Sequence, residues 1–167
     1  MSAQSVFIPK QKNIVATTED FHWSLGSEPI YAEAAVAHYS KYEVTGEESW
    51  VFFASIGSDE EKNYFSFLLS VPYLDQDLME YTYKLGADDR FHVSHSHWIP
   101  APPGFSGVRV VKADNAELTI RLNRAKRTVT GDFVATFKSE GYRLAPSGHF
   151  ELTLLHPEFL HIRAQDT

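Results

Sequence analysis

The sequence contains no cysteine. Disulfides, thiolate metal sites and cysteine nucleophiles are therefore excluded. No uninterrupted apolar stretch approaches the roughly 20 residues that a membrane-spanning helix requires. Met1 to Lys12 carries no apolar run of the length a secretory signal needs, so the simplest expectation is a cytoplasmic protein with no membrane partner. Walker-type loops and G-x-G-x-x-G turns are missing, as are H-E-x-x-H and H-x-H-x-D-H. Gly104-Phe105-Ser106-Gly107 does not have the G-x-S-x-G spacing of a nucleophile elbow. Positive charge is also in short supply. A formal net charge of −7 argues against a nucleic-acid partner, because affinity for nucleic acid comes largely from neutralising phosphates.

The acidic excess is uneven. Residues 1–84 hold 5 basic and 13 acidic side chains, whereas residues 85–167 hold 10 and 9. The densest basic group, Arg121, Arg124, Lys126 and Arg127, has no interleaved aromatics and reads as a solvated turn. Asp75, Asp77, Asp88 and Asp89 also fall in turn-like clusters, where solvation and turn formation explain carboxylates without catalysis.

What the chain does have is material for a core. Its 167 residues suit one domain, 1–167, and 43% hydrophobic with 14% aromatic residues is enough to fill it. Such a composition excludes a disordered chain. About ten segments read as strands: Ile14 to Leu25, Ile30 to Val44, Trp50 to Ile56, Tyr64 to Val71, Met79 to Leu85, Phe91 to Trp98, Val108 to Lys112, Glu117 to Leu122, Thr128 to Phe137 and His149 to Leu155. Turn-like clusters such as Gly57-Ser58-Asp59-Glu60 and Gly86-Ala87-Asp88-Asp89 separate them. Pro100-Ala101-Pro102-Pro103-Gly104 cannot join a sheet ladder and is read as a loop. The alanines after Ile30 would also suit a helix, but Ile30, Ala32, Ala34 and Val36 keep strand spacing and the neighbours are strands. The expected fold is an all-β antiparallel sandwich, with a closed or partly closed barrel as the alternative.

Alternation assigns the faces. Leu118, Ile120 and Leu122 face one way against Glu117, Thr119 and Arg121, and Phe150, Leu152 and Leu154 oppose His149, Glu151 and Thr153. Two strands break the rule. Val51 and Phe53 back Trp50, Phe52 and Ile56, while Tyr64 and Leu68 back Phe65, Phe67, Leu69 and Val71. A strand apolar on both faces needs cover on both. That cover is expected from the N-terminal segment or the proline loop, or else the surface is an exposed apolar patch for a ligand or a second copy of the chain.

Gly131-Asp132-Phe133, followed by Gly148-His149-Phe150, forms a G-x-F…G-x-F phrase. It resembles the closing hairpin of small uncharacterised bacterial all-β domains, many of them lipoproteins. The likeness covers roughly residues 30–155; it implies a β-sandwich-like fold and brings no catalytic residues with it. Gly131 within a strand implies a bulge or close approach by an aromatic ring, for which Phe133 and Phe137 are the expected sources.

Chemistry-bearing side chains concentrate in Phe91-His92-Val93-Ser94-His95-Ser96-His97-Trp98. On a strand, His95 and His97 share a face with Phe91 and Val93. Two such imidazoles can bind one transition metal, with a third ligand by type from His38, His22 or Glu33. No glutamate follows at the spacing of a cupin motif, and histidines at the end of a strand are more often hydrogen-bonded structural residues, with a metal-free binding or pH-sensitive role as a further reading. Tyr31, Tyr39, Tyr64, Tyr73, Tyr81, Tyr83 and Trp98 suit a stacking platform for a sugar or another flat ligand. Trp98, Tyr81, Tyr83 and Phe105 are the candidate ligand-binding residues. The expected function is a non-enzymatic binding module for a small molecule or protein, acting through a sheet face or the loop around Pro100 to Phe105. A metal-binding protein or metal-dependent enzyme built on His95 and His97 is the alternative, and a self-associating structural protein, such as a homodimer through the strands around Phe53 and Phe67, is a further one.

Overall fold

Period-two alternation is a recipe for strands, and a computed structural model, which describes residues 3–10 and 19–155, contains twelve of them. They are β1 (Gln4–Pro9), β2 (Asp20–Ser24), β3 (Pro29–Tyr31), β4 (Ala34–Tyr42), β5 (Glu47–Ile56), β6 (Phe65–Pro72), β7 (Leu78–Lys84), β8 (His92–Ile99), β9 (Phe105–Lys112), β10 (Asn115–Asn123), β11 (Thr128–Thr136) and β12 (Ser147–Thr153). Among the described residues no helix is long and apolar enough to cross a membrane.

The strands form two six-stranded antiparallel sheets. Sheet A has the order β1-β9-β8-β6-β5-β4 and curls into a half-barrel; sheet B has the order β3-β2-β12-β11-β10-β7. At one edge the two sheets join. Ala37 of β4 bridges Leu154, and the Leu155 N–H donates to the Ala37 carbonyl at 2.9 Å.

The inward rows make one core. Phe52, Phe67 and Leu69 of sheet A pack with Phe21, Trp23, Leu118, Phe133 and Phe150 of sheet B, all buried. Phe150 stacks on Phe21 at 5.2 Å and, across the sandwich, on Phe52 at 5.0 Å between ring centroids. Trp23 meets Phe67 edge-on at 5.1 Å. Burying each phenylalanine stabilises the fold by about 1.5–3 kcal/mol.

Two strands were not anticipated, for different reasons. In β1, Val6, Phe7 and Ile8 run consecutively and all six residues are exposed. Backbone pairing with β9, rather than burial, holds that edge strand in place. The single segment expected over Ile30 to Val44 divides into β3 and β4. At the division the Ala32 N–H donates to Phe21 in sheet B, whereas the Glu33 N–H donates to Ser55 in sheet A, so this is where the chain crosses between sheets. Residues 14–18 of the first expected strand lie outside the described residues.

The G-x-F pairs pack reciprocally. Gly131 lies opposite Phe150 and Phe133 opposite Gly148 in the β11–β12 ladder. Phe150, not Phe133 or Phe137, therefore covers Gly131, because the cross-strand ring on the same face reaches the space a side chain would fill.

The basic cluster is accounted for in the same structural terms. Arg124 of the β10–β11 turn donates to Asp75 at 2.7 Å and to Asp77 at 3.0 Å, Arg121 pairs with Glu80, and Arg127 donates to the Leu154 carbonyl.

Candidate functional site

The two-faced strands β5 and β6 lie inside sheet A, so both of their faces depend on neighbours. Their inward residues enter the core. Their outward residues, Val51, Phe53, Ser66 and Leu68, align with outward side chains of β8, β9 and β1. Phe53 lies opposite Leu68 and Leu68 opposite Ser94; Trp98 lies opposite Val108 and Val108 opposite Val6. The result is a trough of about 510 Å³ with walls from β1, β5, β6, β8 and β9. Ser66 is 3% exposed although it faces outward, which shows how far the flanking side chains rise around it.

One end of the trough is built from charge and aromatic rings. The Trp98 indole N–H donates to Asp59 Oδ1 at 3.0 Å, and Lys10 Nζ lies 3.1 Å from Asp59 Oδ2. The Lys10 contact, aided by Trp98 and Ser106, outweighs partial desolvation and holds the Asp59 carboxyl below the usual carboxylate range. Asp59 thus stays ionised and fixes the orientation of the indole. Tyr64 and Glu60 line the same cavity. The Trp98 N–H of the main chain donates to the Tyr64 carbonyl at 2.9 Å, extending the β6–β8 ladder to the trough's end.

The other candidate ligand residues lie elsewhere. Phe105 is exposed at the start of β9, opposite Pro9, with its side chain on the opposite face of the sheet from Trp98. Tyr81 and Tyr83 lie on β7 of sheet B, where Tyr83 is buried against Phe91 and Tyr81 is exposed at the sheet edge. The structure does not bring them together with Trp98. Of the strands proposed for self-association, Phe53 faces the trough, but Phe67 is fully buried in the core.

His95 and His97 do share the inward face, with ring centroids 5.9 Å apart. Their surroundings are aromatic. His95 is 1% exposed, stacks on Phe65 at 5.3 Å and meets Phe137 edge-on at 4.5 Å. Its Nδ1 is buried without a hydrogen-bond partner. His97 Nε2 lies 2.9 Å from the Tyr142 hydroxyl and its Nδ1 3.1 Å from the Trp98 carbonyl, so both of its nitrogens are engaged. Burial, reinforced by the neighbouring His97, pushes the His95 imidazole down to about 4. The expected third donors are remote. His38 faces outward on β4, His22 outward on β2, and Glu33 is exposed at the crossover. Among the described residues no group of three histidine, aspartate or glutamate side chains is gathered to hold a metal ion.

Sequence reasoning missed a second polar constellation, on the outer face of sheet B, where His22, His149 and Asp132 border a cavity of about 530 Å³. Its signal was present as Asp20-x-His22 and His149-x-Glu151, both outward-facing, but nothing local places β2 beside β12.

Comparison of the chain with protein-family models, with curated proteins and with solved structures finds no match.

Proposed function

We propose that this protein is a non-enzymatic binding module whose ligand lies in the trough on the outer face of sheet A. The observation that supports this reading is the trough's lining. Phe53, Trp98, Val108 and the serines occupy outward positions, where an antiparallel sheet facing water ordinarily carries charged side chains. The ligand class that suits the lining is a carbohydrate chain. Trp98 and Tyr64 offer flat apolar surfaces to the C–H faces of a sugar ring. Ser96 supplies a hydroxyl that both donates and accepts, and Glu60 accepts from ligand hydroxyls. Asp59, held ionised, serves as an acceptor and an anchor for the indole rather than as an acid.

The test is calorimetric titration with a panel of soluble neutral and acidic oligosaccharides. At least one is expected to bind, with Trp98→Ala lowering affinity at least tenfold and Ser96→Arg, which fills the trough from its floor, abolishing it. Absence of binding across the panel, or binding indifferent to both substitutions, would sink the carbohydrate reading. Light scattering is expected to show a monomer; a dimer dispersed by Leu68→Lys would instead give this surface to a second copy of the chain.

A further inference from the structure

Sheet B turns a different chemistry to solvent. Along one row, Tyr31, His22, His149, Asp132, Thr119 and Thr82 lie opposite one another across all six strands. In the adjacent row Asp20 lies opposite Glu151. His22 Nδ1 is 3.0 Å from Asp20 Oδ1, and His149 Nδ1 is 2.8 Å from Asp132 Oδ1. A carboxylate only accepts, so each Nδ1 donates, and in the neutral ring each Nε2 is left with its lone pair. This is the carboxylate–imidazole pairing that fixes the tautomer and orientation of metal-bound histidines.

The two imidazoles are cross-strand neighbours with ring centroids 5.7 Å apart, and both are part-exposed at 28% and 32%. Glu151 Oε1 lies 3.7 Å from His149 Nε2, next to the pair. The local field favours a cation. Asp20, Asp132 and Glu151 surround the rings, while the positive side chains of this face, Arg121 and Lys84, are taken up by Glu80 and Glu117. Three donors do not yet converge on one point. What the rows build is two imidazoles side by side, with Glu151 at hand as a further oxygen.

We propose that His22 and His149 form a cross-strand chelate for a divalent transition-metal cation, oriented from behind by Asp20 and Asp132. This site is on the opposite sheet from the trough and stands independently of the carbohydrate reading. Nitrogen donors rank the metals, with Cu²⁺ held more tightly than Ni²⁺ or Zn²⁺. Mg²⁺ and Ca²⁺, which demand many oxygen ligands, are not held.

The experiment is calorimetric titration of the full, untagged chain with each of these metal salts in a non-chelating buffer. One Cu²⁺ per chain is expected. His22→Gln and His149→Gln each lower affinity at least tenfold, since glutamine keeps a polar side chain at a part-exposed position but offers no imidazole nitrogen. Asp132→Asn, which leaves both donors present but loosens one, lowers affinity about tenfold. Circular dichroism confirms that each variant is folded. No binding by the parent chain overturns the proposal. So does binding that survives both glutamine variants, or that is lost instead in His95→Leu or in a His156→Ala, His161→Ala chain.

Discussion

Replacing Gly131 with alanine is expected to lower the stability of the fold by roughly 3 kcal/mol, at the upper end of what overpacking a core costs. A side-chain carbon at Gly131 would sit 2.2 Å from Phe150 Cζ and under 3 Å from two further atoms of that ring. Such a contact is tolerable only where the neighbour can yield. Phe150 is fully buried and stacked on Phe21 and Phe52, so its ring has nowhere to go without displacing both. Gly148 mirrors the arrangement, with Phe133 Cε1 at 2.3 Å and the His22 carbonyl at 2.9 Å. Urea denaturation of Gly131→Ala, Phe150→Leu and the double variant forms a cycle that isolates the contact. Both single variants should be destabilised, and the double variant by clearly less than their sum, because leucine vacates the space that alanine enters. A loss below about 0.5 kcal/mol for Gly131→Ala, or strict additivity, would mean that the ring does not occupy the glycine's space.

The same hairpin shows how much of the molecule was legible in its sequence. Alternation marked β10, β11 and β12 as half-buried strands, and Leu118, Phe133 and Phe150 do fill the core. It also exposed the irregularity that matters, since Val51, Phe53 and Leu68 all face outward and Phe53 lines the trough. What stayed hidden depends on which strands become neighbours. The reciprocal glycine–phenylalanine pairing needs the β11–β12 register, which places Gly131 against Phe150 and not against a ring on its own strand. Lys10, Asp59 and Val108 come from distant parts of the chain to one end of the trough, and no local spacing announces that. Likewise His22 and His149 meet because β2 pairs with β12. His95 and His97 were correctly placed on one face, but the Phe137 and Tyr142 rings that enclose them come from another part of the chain.

Acidification from pH 7.5 to pH 5.0 is expected to cost the parent chain about 2 kcal/mol through His95 alone, and a His95→Leu chain should escape that loss. Burial, with His97 adding to it, holds the folded imidazole at about 4, whereas an unfolded chain holds histidine near ~6.5. Between those values the unfolded state binds a proton that the folded state refuses. Stability is therefore present in full above the unfolded value and is lost as pH falls toward the folded one. His149 runs the other way. Burial lowers its affinity for a proton, but Asp132 and Glu151 together outweigh that and raise it, so its contribution is full below the unfolded value and fades as pH rises. That contribution is common to parent and variant and cancels in their difference. At pH 7.5 the two chains should differ little, since leucine surrenders the ring contacts with Phe65, Phe137, Tyr142 and His97 while relieving the unpartnered Nδ1. At pH 5.0 the variant should be the more stable of the two by urea denaturation. Parallel losses in both chains would show that His95 takes up its proton inside the folded protein. Its cage of Phe65, Phe137 and Tyr142 would then admit water, and the His95–His97 pair would become accessible to a ligand after all.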